Sequence, residues 1–244
     1  MRTSNPVLTS AAFSGVRGTA VGETMSIQGA VNKTAVLLAL LLVSSSWVWG
    51  RAITGGPFQG LLALGALAGF VIALVTVFNK AWAPVTAPLY AICEGLVLGG
   101  VSAVLELRYA GIVIQAVALT FGTLAALLLA YTSHLIPVTQ NFRLGVIAAT
   151  GGIALVYVAS FILGFFGIQL PFLYNSGPLG IALSGVIVVI AALNLVLDFD
   201  FIEQGAHGGM PKYMEWYAAF GLMVTLVWLY LEILRLLTKL RVRR

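Results

Sequence analysis

Seven runs of apolar residues, each bounded by charges, prolines or glycine clusters, organise this chain from end to end. A helix needs about 20 mostly apolar residues to cross ~30 Å of hydrocarbon at ~1.5 Å per residue, and the runs approach that length. The first covers residues 34–49 and is predicted to begin a turn or two earlier, within "SIQGAVNK", because its apolar part alone is short. The others cover 58–78, 85–105, 112–131, 144–166, 179–198 and 216–237. Between them stand "RAITGGP", "NKAWAP", "ELRYAG", "HLIPVTQNFR" and "FGIQLPFLYNSGP", rich in turn formers. Such short connections leave no room for a soluble domain, so the predicted fold is an all-α integral membrane protein with seven transmembrane helices.

The domain reading follows. Residues 1–25, "MRTSNPVLTSAAFSGVRGTAVGETM", carry Ser, Thr and Gly without an apolar period and are predicted to form a polar flexible tail, or else a docking segment. Residues 26–240 form the membrane domain and 241–244 a basic end. A cleaved leader is not expected, since the first apolar run starts late and no small-residue cleavage pattern follows it.

Composition agrees. Of 244 residues, 60% are hydrophobic and 9% charged, against roughly 25% charged in a soluble domain, so the first partner is the lipid bilayer. Thirteen Lys and Arg against eight Asp and Glu give +5. Arg235, Lys239, Arg241, Arg243 and Arg244 crowd the last ten positions, which reads as a membrane-surface anchor and not a nucleic-acid patch. Counted by alternate loops, the cations divide six against seven and leave orientation open. With Cys93 as its single cysteine the chain has no internal disulfide or cysteine metal site. His134 and His207 lack metal-pair spacing and read as solvated loop residues. No cofactor is expected.

Acids at membrane depth are the candidate chemistry, because an ionised carboxylate at a bilayer centre costs at least ~2.5 kcal/mol and so faces the bundle interior or a partner. Glu94, at the middle of the third run, is the deepest; beside it Gly95 and Gly99 make a small-xxx-small face for a close helix. Asp198 closes the sixth run. Asp198 and Asp200 lie about 200° apart on a helix and cannot serve one partner together. Asn194 does share a face with Asp198, whereas Asp200 points toward Glu203 and water. Glu232 and Arg235 are spaced for an intrahelical ion pair, with the arginine reaching the interface. Glu215 precedes the seventh helix on the same membrane side as Asp198 and reads as a solvated helix start, or else as a partner that approaches Asp198 across the short loop.

Other chemistries find no support. A retinal-type Schiff base needs a lysine buried in the last span, and Lys239 is expected past the helix end. No phosphate-cradling loop, HExxH or nucleophile motif occurs, so the chain is read as no enzyme.

Three segments, "NKAWAPVTAPLYAICEGLVLGGVSAV", "VLDFDFIEQG" and "WYAAFGLMVTLVWLYLEILRLL", resemble the transmembrane Bax-inhibitor-motif family in its bacterial branch, over roughly residues 30–240. The resemblance implies a central seventh helix surrounded by the other six, in a bacterial plasma membrane with the amino terminus in the cytoplasm. It also implies a pH-sensitive Ca²⁺ leak, tied to stress or cell death, and an aspartate pair acting as a proton-sensitive latch. Asp198 matches the first of that pair and Thr225 stands where the second is expected, so either the latch is rebuilt from Asp198 with Asp200, Glu215 or Glu94, or this chain does not gate in the family's manner. Lys80 resembles the family's basic residue at the end of the second span and is placed to meet an acid of the sixth.

Two function classes result. One is a Ca²⁺ leak channel or Ca²⁺/H⁺ exchanger, gated by membrane carboxylates, with Asp198 and Glu94 as the Ca²⁺ ligands; protons and Ca²⁺ would compete for them. The other is a non-transporting interaction protein regulating a membrane protease or stress complex through its tail and helix surfaces.

Overall fold

A computed structural model describes residues 23–168, 170, 173 and 175–243; most of the polar tail, residues 1–22, lies outside the described residues. The helices are α1 (Ile27–Ile53), α2 (Gln59–Phe78), a 3₁₀ turn (Lys80–Trp82), α3 (Ala83–Arg108), α4 (Ile112–Thr132), α5 (Gln140–Phe165), α6 (Pro178–His207) and α7 (Met214–Val242). All seven α-helices are long and apolar enough to cross a membrane. No strand occurs among the described residues, apart from an isolated bridge between Thr24 and Pro211.

Local chemistry sets the ends. Ser26 caps α1 by accepting the Gly29 amide at 3.0 Å, and Thr139 caps α5 by accepting that of Phe142 at 3.2 Å. The α3–α4 turn closes on Gly111, whose φ of +80° suits a residue without Cβ. Glu106 then reaches forward to accept the amides of Gly111 (2.6 Å) and Val113 (3.1 Å), covering donors that the start of α4 leaves unpaired.

Two helices outrun their apolar stretches. The sixth was expected to end near Asp198 but continues nine residues to His207, and the seventh was expected to end at Leu237 but continues to Val242. The cause in α6 is protein contact: Phe201, Ile202 and Gly205 are still buried there. His207 therefore closes a helix instead of sitting in a loop, though it is exposed.

The last helix is the most buried of the seven and α5 the least. Direct packing on α7 comes from α6, α1, α4 and α3, while α2 lies against α3 and α5 against α6. Gly95 and Gly99 face the backbone of α1 at Leu41 and Ser45, where a Cβ would collide, so the small-residue face serves helix approach as expected. Gly65 of α2 does the same against the Cys93 carbonyl, 2.7 Å from where its Cβ would stand. Outward, Leu67, Phe70, Phe161 and Phe165 are well exposed, the surface of a bundle solvated by lipid tails.

Candidate functional site

The helix with the least apolar cover is held by polar contacts. Arg143, Thr150 and Tyr157 recur every seven residues along α5, a spacing that returns to nearly the same face because seven residues fall only about 20° short of two turns. Each meets a polar partner. One nitrogen of Arg143, Nη2, lies 3.0 Å from Asp200 Oδ1 and 2.8 Å from Oδ2. Asn194 Nδ2 donates to Thr150 Oγ1 at 2.8 Å and to the Ile190 carbonyl at 2.8 Å. The Tyr157 hydroxyl donates to Glu232 Oε1 at 2.7 Å and accepts from Arg235 Nη1 at 2.5 Å. Fourteen residues separate the outer two, about 21 Å of helix rise, so this polar seam runs along more than half of the 26-residue α5. A cavity of about 250 Å³ opens beside it, lined by Gly152, Val156, Tyr157, Leu183 and Ile187.

Asp198 stands one turn beyond Asn194 and is fully buried. All residues from 194 to 199 are buried, so α6 is enclosed around its whole circumference there. With α6 running on to His207, Asp198 lies nine residues, roughly 13 Å of rise, inside the helix end.

Asp200 does not mark the way out to water. Its side chain is half-buried against Arg143 and also accepts from Gln204 Nε2 at 2.7 Å. The expectation failed because it placed the helix end too early. Asp198 and Asp200 do diverge, as their spacing requires.

The other candidates are dispersed. Glu215 is fully buried, accepts from the Ser26 amide (2.9 Å) and hydroxyl (3.0 Å), and pairs with Lys33 and, at 3.4 Å, with Lys212. Gly29 makes room for it, since a Cβ there would strike the carboxylate. Next to this cluster the Met25 amide donates to the Met210 carbonyl (2.6 Å) and that of Lys212 to Glu23 (3.1 Å). Residues 23–26 thus strap onto the α6–α7 loop. Glu94 is half-buried on the side of α3 that meets Gly69 of α2, and bonds the Tyr90 hydroxyl one turn back. Tyr90 packs edge-on against Phe220 of α7, ring centroids 4.9 Å apart. Glu94 thus stands on α3 and Asp198 on α6. Among the described residues, no three acid, histidine or cysteine side chains converge as metal ligands.

Thr225 is buried in α7 and donates to the Gly221 carbonyl at 3.3 Å. The acids considered as replacements for an aspartate at its position, Asp200, Glu215 and Glu94, each have partners of their own. Lys80 opens the 3₁₀ turn that rests on α2, α3 and α7. Glu232 and Arg235 form the expected pair at 3.3 Å, but Tyr157 of α5 completes it.

Lys239 overturns another expectation. It lies inside α7, buried, with its ammonium donating to the Leu173 carbonyl (2.7 Å), the Gly180 carbonyl (3.0 Å) and Ser184 Oγ (2.8 Å). The helix continues because the α5–α6 connection and the start of α6 offer those acceptors. A lysine is therefore buried in the last span, but its nitrogen is engaged as a threefold donor. Arg143, Thr150, Tyr157 and Lys239 escaped sequence reasoning; the seven-residue spacing of the first three was the available signal.

A family model described as Bax inhibitor 1 like matches residues 5–242, nearly the whole chain. No curated protein and no solved structure matches.

Proposed function

Because this chain belongs to the Bax inhibitor 1 like family and is an integral membrane protein of seven apolar spans, we propose that it is a pH-responsive Ca²⁺ leak pathway whose route follows the seam between α5 and α6. The polar seam carries the reading. A membrane helix that meets its neighbours through an ion pair, an amide and a phenol-bridged acid has the groups a hydrated cation needs along its path, at membrane depth. Asp198 adds a buried carboxyl one turn beyond Asn194.

Two protonations act in opposite senses. A proton on Asp200 cancels its attraction for Arg143 and loosens α5 from α6; a proton on Asp198 removes the charge that draws the cation. Flux is then greatest at an intermediate pH. An exchange mode, in which Asp198 takes either a proton or Ca²⁺, uses the same residues. Glu94 lies off this route and reaches α7 through Tyr90 and Phe220.

The test is Ca²⁺ flux into liposomes containing the purified protein, from about pH 5 to about pH 8. Asp198→Asn should lower flux and remove the acid limb of its pH profile. Flux no greater than in protein-free liposomes at every pH would end the proposal.

The interaction reading has support from the strap, where the segment leading to the tail is pinned against the α6–α7 loop. A partner bound to the tail would pull on that loop. Deleting residues 1–22 should then abolish partner capture, while Glu94→Gln leaves it intact.

A further inference from the structure

Between α1 and α4 runs a furrow floored by α7. Two cavities, of about 480 and 190 Å³, share the Leu38 side chain as their common wall. The larger is lined by Val31, Ala35, Leu124, Leu128, Phe199 and Leu222; the smaller by Leu42, Trp49, Val117, Phe121 and Leu226. Eighteen residues of α1 separate Val31 from Trp49, about 27 Å of rise, close to the thickness of a bilayer's hydrocarbon. Val31, Leu42, Phe121 and Leu128 are all more than 40% exposed. The furrow therefore opens sideways to lipid along its length.

Its mouth is different. Where α4 ends, Tyr131, Thr132 and His134 meet Glu203 of α6 around the opening of the larger cavity. The Tyr131 hydroxyl donates to the Glu203 carboxylate. Asp200 and Glu215, on the same membrane side, have cationic partners in Arg143 and Lys33. Among the described residues, no cationic side chain pairs with Glu203. A half-buried carboxylate oriented by a phenol, with the neighbouring Arg143 engaged on Asp200, favours an ammonium group from outside the protein.

We infer that this furrow binds one phospholipid with a primary-ammonium headgroup, its acyl chain laid along α7 between α1 and α4 and its ammonium on Glu203. The apolar walls select the chain and the carboxylate selects the headgroup. The site is independent of the Ca²⁺ proposal and stands or falls without it.

Native mass spectrometry of the full chain in detergent, titrated with phosphatidylethanolamine or phosphatidylglycerol of identical chains, tests both parts. The wild type should retain one phosphatidylethanolamine in about tenfold preference, as one charge-assisted contact gives. Glu203→Gln should bring the two lipids to near parity while still retaining either one. Leu38→Trp, which fills the wall between the cavities, should lose both. Equal retention of the two lipids by the wild type, or an unchanged preference in Glu203→Gln, would overturn the headgroup assignment. A folded Leu38→Trp protein, judged by its melting temperature, that retains lipid as the wild type does would overturn the furrow. Should that variant not fold, Val117→Phe replaces it under the same criterion.

Discussion

Removing the Arg143–Asp200 contact should open the proposed pathway at neutral pH. The pair is not a surface salt bridge: one guanidinium nitrogen touches both carboxylate oxygens, at 3.0 and 2.8 Å, and the side chains are only 25% and 17% exposed. Exposed pairs contribute about 0–1 kcal/mol, and hydrogen bonds to charged groups about 1.5–3 kcal/mol net. A coupling of about 2 kcal/mol is the reasonable middle, equivalent to ~30-fold in the equilibrium between attached and detached α5. Arg143→Gln and Asp200→Asn should each raise neutral-pH Ca²⁺ flux in liposomes toward that limit. The double variant should add little to either, because both remove the same contact. Exchanging the two residues, Arg143→Asp with Asp200→Arg, should restore the low flux. Asp200→Asn keeps an oxygen for Gln204, so loss of that bond is not the cause. Folded single variants with wild-type flux and pH profile, or effects that simply multiply in the double variant, would refute the reasoning.

Three further outcomes are expected. Lys239→Met should lower the melting temperature in detergent, since it strips three acceptors of their donor at about 1–3 kcal/mol for each one left bare. Gly99→Val should destabilise the α1–α3 contact by about 1–3 kcal/mol or more of overpacking, whereas Gly122→Ala, with open space around it, should melt as the wild type does. Lys212 is held above the ordinary lysine value of 10.5 by the neighbouring Glu215 carboxylate. Its contribution is therefore complete at neutral pH and lost only as pH rises through the raised value, so Lys212→Gln should lower the melting temperature at neutral pH and converge with the wild type as pH rises through that value.

Much of the frame was legible because lipid imposes a simple code. Seven apolar runs gave seven helices, and the glycines at 95 and 99 announced the close approach of another helix, which proved to be α1. The code fails where a helix leaves lipid for protein: the end of α6 passes through "FIEQGAH" with no apolar run to mark it, and so Asp200 was read as solvated. Lys239 was misplaced for the same reason. The seam was hidden for another. Arg143, Thr150 and Tyr157 are unremarkable taken singly, and their partners lie on two other helices whose contacts with α5 no local pattern reveals. Glu232 with Arg235 was visible because both partners share one helix.

Thr150 sits midway along the seam, seven residues from Arg143 and seven from Tyr157, or about 10 Å from each. A rigid helix pivoting at its middle contact moves its two ends in opposite directions. If α5 rocks about the Thr150–Asn194 bond, parting Arg143 from Asp200 presses Tyr157 further onto Glu232, and the reverse motion does the opposite. Such a seesaw never unlatches both membrane faces together, which is the geometry of a carrier that turns over one load at a time. If α5 instead swings outward as a whole, both faces open at once and ions stream through. Within the proposed pathway, the middle hydrogen bond is what separates stoichiometric exchange from a leak.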